Sequence, residues 1–202
     1  MPIRLREAAE TDLPAIQLIY AHHVRHGLGS FEEIPPSVDE FVARWRAVMS
    51  LDLPYLVAER NGVIVGYSYA AAYHPRSAYR YVVEDSVYVA EDISGQGVGS
   101  ALLQTLIARC ETGAWRQMIA VIGNSSNISS IALHRRMGFR PVGTLRSVGF
   151  KFGRWVDVVL MQRALSAGDK NLPTETLEHP REGTLTSRST HLDVQTDAEY
   201  SY

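Results

Sequence analysis

Hydrophobic and polar positions along this chain switch repeatedly between a two-residue alternation and a helical period, from about residue 3 to residue 165. IRLRE at 3–7 alternates as a short strand. Thr11 then stands as a candidate N-cap before the helical run DLPAIQLIYAHHV, with Pro14 in its first turn. A second helix carries a clearer start: Ser37 and Glu40 form a capping box, and Val38, Phe41, Val42, Trp45, Val48 and Met49 share one face. After Pro54 the period drops to two, and YLVAER, Asn61-Gly62 and VIVGYSYAAAY predict two strands across a type I′ turn. VVEDSVYV at 82–89 is a further strand, followed by a glycine-rich stretch from Ile93 to Ser100 and a helix from residue 101, ALLQTLIARCE. MIAVIG is a buried strand, and NSSNISSIALHRRMGF a loop and helix ending at Gly138, in the place of an αL cap. FRPVGTLRSVGF and WVDVVLMQRAL close the pattern as two strands joined by a turn at Lys151–Arg154. Strands alternating with helices, flanked by hairpins, predict an α/β fold with a mixed sheet and helices on both faces.

Beyond residue 165 the periodicity stops. Ser and Thr make up ten of the residues 166–202, and seven acids there face three bases, a balance of −4. The chain as a whole carries −2, so the first 165 residues hold +2. Two units are therefore expected, a catalytic or binding domain over 1–165 and a polar, acidic, disordered tail over 166–202. The single Cys110 can form neither an internal bridge nor a cysteine zinc site, the N-terminus lacks the apolar stretch of a signal peptide, and no window has the length of a membrane span, all of which predict a cytoplasmic protein. A charge of +2 spread over 165 residues gives little drive for nucleic-acid binding.

Ser94-Gly95-Gln96-Gly97-Val98-Gly99-Ser100 lies after a strand and before a helix. Glycines there let several backbone N–H groups converge on one anion at the positive end of the helix dipole, or they make only a flexible turn before an N-cap. A P-loop would need a Lys that is missing, and a dinucleotide fingerprint fails because its third glycine would fall at Ser100 or Leu102. The remaining pattern, G-x-G-x-G before a helix, resembles the pyrophosphate loop of acetyl-CoA-dependent N-acetyltransferases of the GNAT superfamily. Val83–Val89, Ala120–Gly123, Leu133–Phe139, Gly143–Arg146 and Lys151–Val158 narrow the likeness to the phosphinothricin and methionine-sulfoximine N-acetyltransferases, over about residues 3 to 165.

That resemblance implies a mixed, mostly antiparallel GNAT sheet splayed at the cofactor site. It implies acetyl-CoA as cosubstrate and no metal. By it, Val87, Tyr88 and Val89 pair with the pantetheine arm, Gly95, Gln96, Gly97, Val98, Gly99 and Ser100 hold the pyrophosphate, and Asn127 contacts the arm further in. Ser94 departs from the superfamily, which has Gln or Arg there, and weaker cofactor affinity is expected. Glu84 matches the family's catalytic glutamate. The chemistry suits it: the free base of a Lys-like amine costs about 4.6 kcal/mol at pH 7, and a carboxylate lifted toward neutrality by burial can take the proton. The plain alternative is a strand acid paired with Arg76 or Arg80; Asp85 is expected on the opposite face. Backbone N–H groups near Val87–Val89, freed by a bulge, would face the oxyanion. His134 stands where most superfamily members have an acidic Tyr and is the matching acid, though a lone helical His is also a packing residue.

The substrate implied is a small amino acid analogue such as phosphinothricin, methionine sulfoximine or methionine sulfone. Its contacts are expected from Arg76, Arg80, Tyr73, His74, Pro75 and Tyr79 of the loop before Glu84, with Glu84, Asp85 and Ser86, and with Phe31, Lys151 and Arg154 in second rank. A peptide N-terminus, polyamine or aminoglycoside is the alternative acceptor, and a non-catalytic CoA-binding sensor the alternative class. A homodimer is expected from the family. His22, His23 and His26 form an HHxxH cluster with no H-E-x-x-H carboxylate, read as a cleft wall or solvated helix end rather than a metal site. Cys110 reads as packing.

Overall fold

The computed structural model describes residues 3–173. Seven strands form one sheet in the order β1-β2-β3-β4-β5-β7-β6, with β1 Arg4–Glu7, β2 Tyr55–Arg60, β3 Val63–Ala72, β4 Val82–Val89, β5 Gln117–Gly123, β6 Arg140–Lys151 and β7 Arg154–Ala164. All neighbouring pairs are antiparallel except β4 and β5. Four α-helices are described: α1 Leu13–His26, α2 Val38–Met49, α3 Val98–Glu111 and α4 Ile128–Arg136.

Side-chain alternation on β3 shows which helix covers which face. Tyr67 stacks on Tyr88, which meets Tyr20 of α1 edge-on. Ser68, one residue on, donates to the Leu102 carbonyl of α3, and a Cβ on Gly66 would press against Val98 and Leu102. The α1–α2 pair therefore covers one face and α3 with α4 the other, as the mixed α/β reading expects. α1 buries Leu13, Ile16, Ile19, Tyr20 and Val24, and α3 buries Val98, Leu102, Leu103, Leu106 and Ile107. Cys110 packs in the same core, where burial raises its thiol pKa to about 12 and keeps it protonated.

Local signals set most boundaries. Ser37 Oγ accepts from Glu40 N at 3.2 Å while Glu40 Oε2 accepts from Ser37 N at 2.7 Å, the reciprocal pair of a capping box. Asn61 and Gly62 both have positive φ (54° and 78°), as a type I′ turn requires, and Gly138 caps α4 with φ 84°. Thr11 does not cap α1. A short 3-10 turn, Glu10–Asp12, precedes the helix, and the Asp12 carboxylate instead accepts from Ala9 N at 2.8 Å and from the Arg6 guanidinium at 2.6 and 2.8 Å. That fork, with the Ala9 bond, holds the Asp12 carboxyl below its usual range. α3 begins at Val98, inside the glycine-rich stretch rather than at 101.

The chain after β7 turns back on α3. Leu165 is fully buried, Ser166 Oγ donates to the Glu111 carbonyl at 2.9 Å, and Arg116 donates to Asn171 Oδ1 at 3.0 Å. The rest of the expected tail, 174–202, lies outside the described residues.

Candidate active site

β4 and β5 pair only from Val82↔Gln117 to Asp85↔Ala120. Past that point β4 stays with β3 through Val89, whereas β5 follows β7 through Gly123. The two strands part and leave a wedge between them. β4 keeps an unbroken register with β3, so the bulge expected near Val87–Val89 is absent. The splay itself deprives Ser86–Val89 of a β5 partner and leaves backbone donors and acceptors along that edge for a ligand.

A cavity of about 730 Å³ fills the wedge. Val87, Tyr88 and Val89 form one wall and Ala120, Val121 and Ile122 the other. Its far end is closed by Ser94, Gly95, Gly97, Val98, Gly99 and Ser100. Gly95 and Gly97 have φ of 78° and 84°, conformations strained for residues with a Cβ, and Gly97 is the N-cap of α3, so the 14-residue helix opens its first turn toward the cavity. The cradle fits a pyrophosphate: backbone donors, a positive dipole end, and open space where side chains would stand at Gly95 and Gly97. Gln96 is not in the lining; its Oε1 accepts from Arg60 at 2.8 Å. Asn127 lines the cavity and caps α4, its Oδ1 accepting from Ser130 N at 3.2 Å.

Glu84 sits where the strands begin to part, among the lining residues. Burial, with the neighbouring Asp85 carboxylate, raises its pKa from 4.5 to about 7. Among the described residues it makes no ion pair with Arg76 or Arg80. Ser86, two residues on, shares its face and stands opposite Tyr69 of β3, which also lines the cavity. Phe31 and Gly29 arrive from the loop between α1 and α2. That loop lies against glycines: a Cβ on Gly123 would stand 2.4 Å from the Leu28 carbonyl oxygen, and one on Gly149 would stand 2.3 Å from the Phe31 ring. Lys151 fixes the loop from below, being 1% exposed and donating to the Ser30 carbonyl at 2.7 Å. Burial lowers its pKa, so its place is a loop anchor inside the protein, while Arg154 is exposed at the turn.

Asp85 points to the opposite face from Glu84, toward α4. His134 Nε2 lies 3.0 Å from Asp85 Oδ2, and Nδ1 donates to the Ser130 carbonyl at 2.8 Å. Burial works to lower the pKa of this imidazole, but the Asp85 carboxylate and the Ser130 carbonyl outweigh it, and the net shift is upward. His134 is thus a buried cavity residue and no surface histidine.

Tyr73, His74, Pro75, Arg76, Tyr79 and Arg80 fall outside the cavity lining. Tyr73, His74 and Tyr79 pack on one another tilted or edge-on, with centroids 4.2 to 5.7 Å apart, and Arg80 lies over the Tyr81 ring at 4.8 Å. They group on the exposed loop that leads into β4. His23, read in the sequence only as part of HHxxH, is the member that reaches the cavity: Nε2–H donates to the Val89 carbonyl at 2.8 Å and burial lowers its pKa. His22 pairs instead with Glu91 at 3.0 Å, and no cluster fit to hold a metal occurs among the described residues. Tyr69 carried no sequence signal beyond its alternation with Tyr67.

Residues 5–160 match the family model described as Acetyltransferase (GNAT) domain. The chain belongs to the GNAT acetyltransferase family. Within that family it is 60% identical over 169 residues to phosphinothricin N-acetyltransferase of Alcaligenes faecalis, covering 84% of this chain and 86% of that protein. It is 39% identical to the L-methionine sulfoximine/L-methionine sulfone acetyltransferase of Pseudomonas paraeruginosa, over 80% of this chain and 94% of the relative. Among solved structures, a GNAT phosphinothricin acetyltransferase from Sinorhizobium meliloti in complex with AcCoA superposes with a TM-score of 0.84 at 44% identity, covering 87% of this chain and 95% of the other. The splayed sheet is therefore the GNAT sheet, and the chain is an acetyltransferase.

Proposed function

We propose that the protein transfers the acetyl group of acetyl-CoA directly to the amino group of a small amino acid analogue such as phosphinothricin, methionine sulfoximine or methionine sulfone. The observation that carries this reading is Glu84: a half-buried carboxyl with a pKa of about 7, lining the cavity where β4 and β5 part. The similarity to phosphinothricin and methionine sulfoximine acetyltransferases supports the acceptor class.

Acetyl-CoA, when bound, supplies an acetyl thioester at the inner end of the wedge. The glycine loop and the α3 N-terminus hold its pyrophosphate by backbone N–H groups, without the long side chain that Ser94 replaces. The free edge of β4 orients the arm and offers an N–H to the carbonyl oxygen as it gains charge. Glu84, near half-ionised at neutral pH, takes a proton from the acceptor nitrogen directly or through water, which is close to the optimum for a general base. His134, on the other wall, gives a proton to the leaving sulfur. Phe31 and Tyr69 bound the acceptor side.

Thiol release is the test. With acetyl-CoA, the three analogues are expected to turn over at least tenfold faster in kcat/KM than a peptide N-terminus, spermidine or an aminoglycoside. Release with none of the three would overturn the acceptor assignment. We further propose a cytoplasmic homodimer. No helix among the described residues is long and apolar enough to cross a membrane, and Leu145, Val148, Phe150, Phe152 and Trp155 expose apolar surface on the β6–β7 hairpin, with β6 at the sheet edge. Sedimentation at micromolar concentration reads the dimer directly.

A further inference from the structure

The geometry points to Asp85 as a positioning residue for the acid step: Asp85 and His134 hold one proton between β4 and α4, and that proton is the one passed to the leaving sulfur. This rests on the acetyl-transfer reading above, but its structural basis is separate. The two side chains are 2% and 6% exposed and 3.0 Å apart. A carbonyl can only accept, so the 2.8 Å contact to Ser130 O fixes a proton on Nδ1. The remaining proton lies between Nε2 and Oδ2, and without it two lone pairs would face each other in a dry site.

A purely structural ion pair would saturate both carboxylate oxygens. Here Asp85 Oδ1 is buried with no hydrogen-bond partner among the described residues, and both residues line the cavity. The other titratable groups are arranged so that they do not take over the proton. Cys110 on α3 stays a neutral thiol, Glu84 points to the opposite face of β4, and Arg136 of α4 lines the same cavity. Phe139 covers the ring edge-on at 5.0 Å.

The balance closes without any further reactant. The acceptor ammonium gives one proton to Glu84, which frees its lone pair; the nitrogen then forms the C–N bond and sheds a second proton to water, while the C–S bond breaks with its electron pair going to sulfur, which takes the proton from Nε2. Glu84 then releases its proton to water and the Asp85–His134 pair takes one up, so one proton is released per turnover.

The imidazole nitrogens of the full-length protein, free of substrate, report the pair directly by long-range proton–nitrogen NMR, with His134 assigned by its loss in His134→Gln. The wild-type ring is expected to carry protons on both nitrogens at pH 7 and to titrate above 6.5. Asp85→Asn is expected to leave a neutral Nδ1–H ring at pH 7, to lower kcat about 100-fold with KM for acetyl-CoA changed less than about threefold, and to move the alkaline limb of kcat to lower pH. A wild-type ring that is neutral at pH 7 would overturn the proposal even where Asp85→Asn does not fold. So would a folded Asp85→Asn with unchanged kcat. Failure of every amine to accept acetyl would instead defeat the function reading, with the ring titration unaffected.

Discussion

Glu84 places catalysis and stability in opposition within one side chain. Its folded pKa of about 7 lies above the ordinary 4.5, so between those values the folded protein keeps a proton that the unfolded chain releases. Stability from this group is therefore present at low pH and falls as pH rises toward 7. Glu84→Gln removes the cost of the buried charge. Allowing for the partial exposure of the side chain, the gain is on the order of 1 to 2 kcal/mol above pH 7, a rise of several degrees in Tm that shrinks toward zero near pH 4. Thermal melts of both proteins at pH 4, 6 and 8 check the sign. Gly149 gives a second prediction at this scale. A methyl there would stand 2.3 Å from the Phe31 ring, whose side chain yields more readily than backbone. Gly149→Ala should displace Phe31 from the acceptor side and raise the KM for the amine several-fold, with the KM for acetyl-CoA little changed.

The elements that were legible in the sequence are those fixed by near neighbours. Ser37 and Glu40 meet within one turn, Asn61-Gly62 carries its own turn geometry, and the spacing of Gly95, Gly97 and Gly99 before a helical run announced the cradle at the α3 N-terminus. What was not legible depends on residues far apart in the chain. The expected Thr11 cap gives way to a 3-10 turn where Asp12 bonds Arg6 of β1, and the Asp85–His134 contact spans 49 positions. The parting of β4 from β5 came only from the resemblance, because pairing ends with no bulge or proline to mark it. The loop 73–81 is the sharpest difference: its arginines suited a carboxylate, but its rings pack on one another outside the cavity. At the glycine loop, Gly97→Ala adds a methyl that meets nothing within 4 Å yet must hold a φ of 84°. The strain of roughly 1 kcal/mol should lower Tm by a few degrees and raise the KM for acetyl-CoA several-fold, leaving the amine KM near its original value.

Across the whole molecule the charge divides between a body of +2 and a stretch of −4 over 166–202. The structure gives the first residues of that stretch to the body, since Ser166 and Asn171 bond back to Glu111 and Arg116. A chain ending at Pro173 should keep full turnover and its Tm, whereas one ending at Leu165 loses both contacts and should melt lower; melts and thiol-release assays on the two truncations separate them. The family match over 5–160 and the cavity at the parting of two central strands both fall within this body. The most direct measurement of Glu84 as its base is the pH dependence of kcat/KM for phosphinothricin at saturating acetyl-CoA, in wild type and Glu84→Gln. The wild-type profile should rise tenfold per pH unit below about 7 and level off above it until the alkaline limb of His134 sets in, and the variant should be at least 100-fold slower with the acid limb gone. A Glu84→Gln enzyme with the wild-type rate and the same acid limb would contradict the assignment.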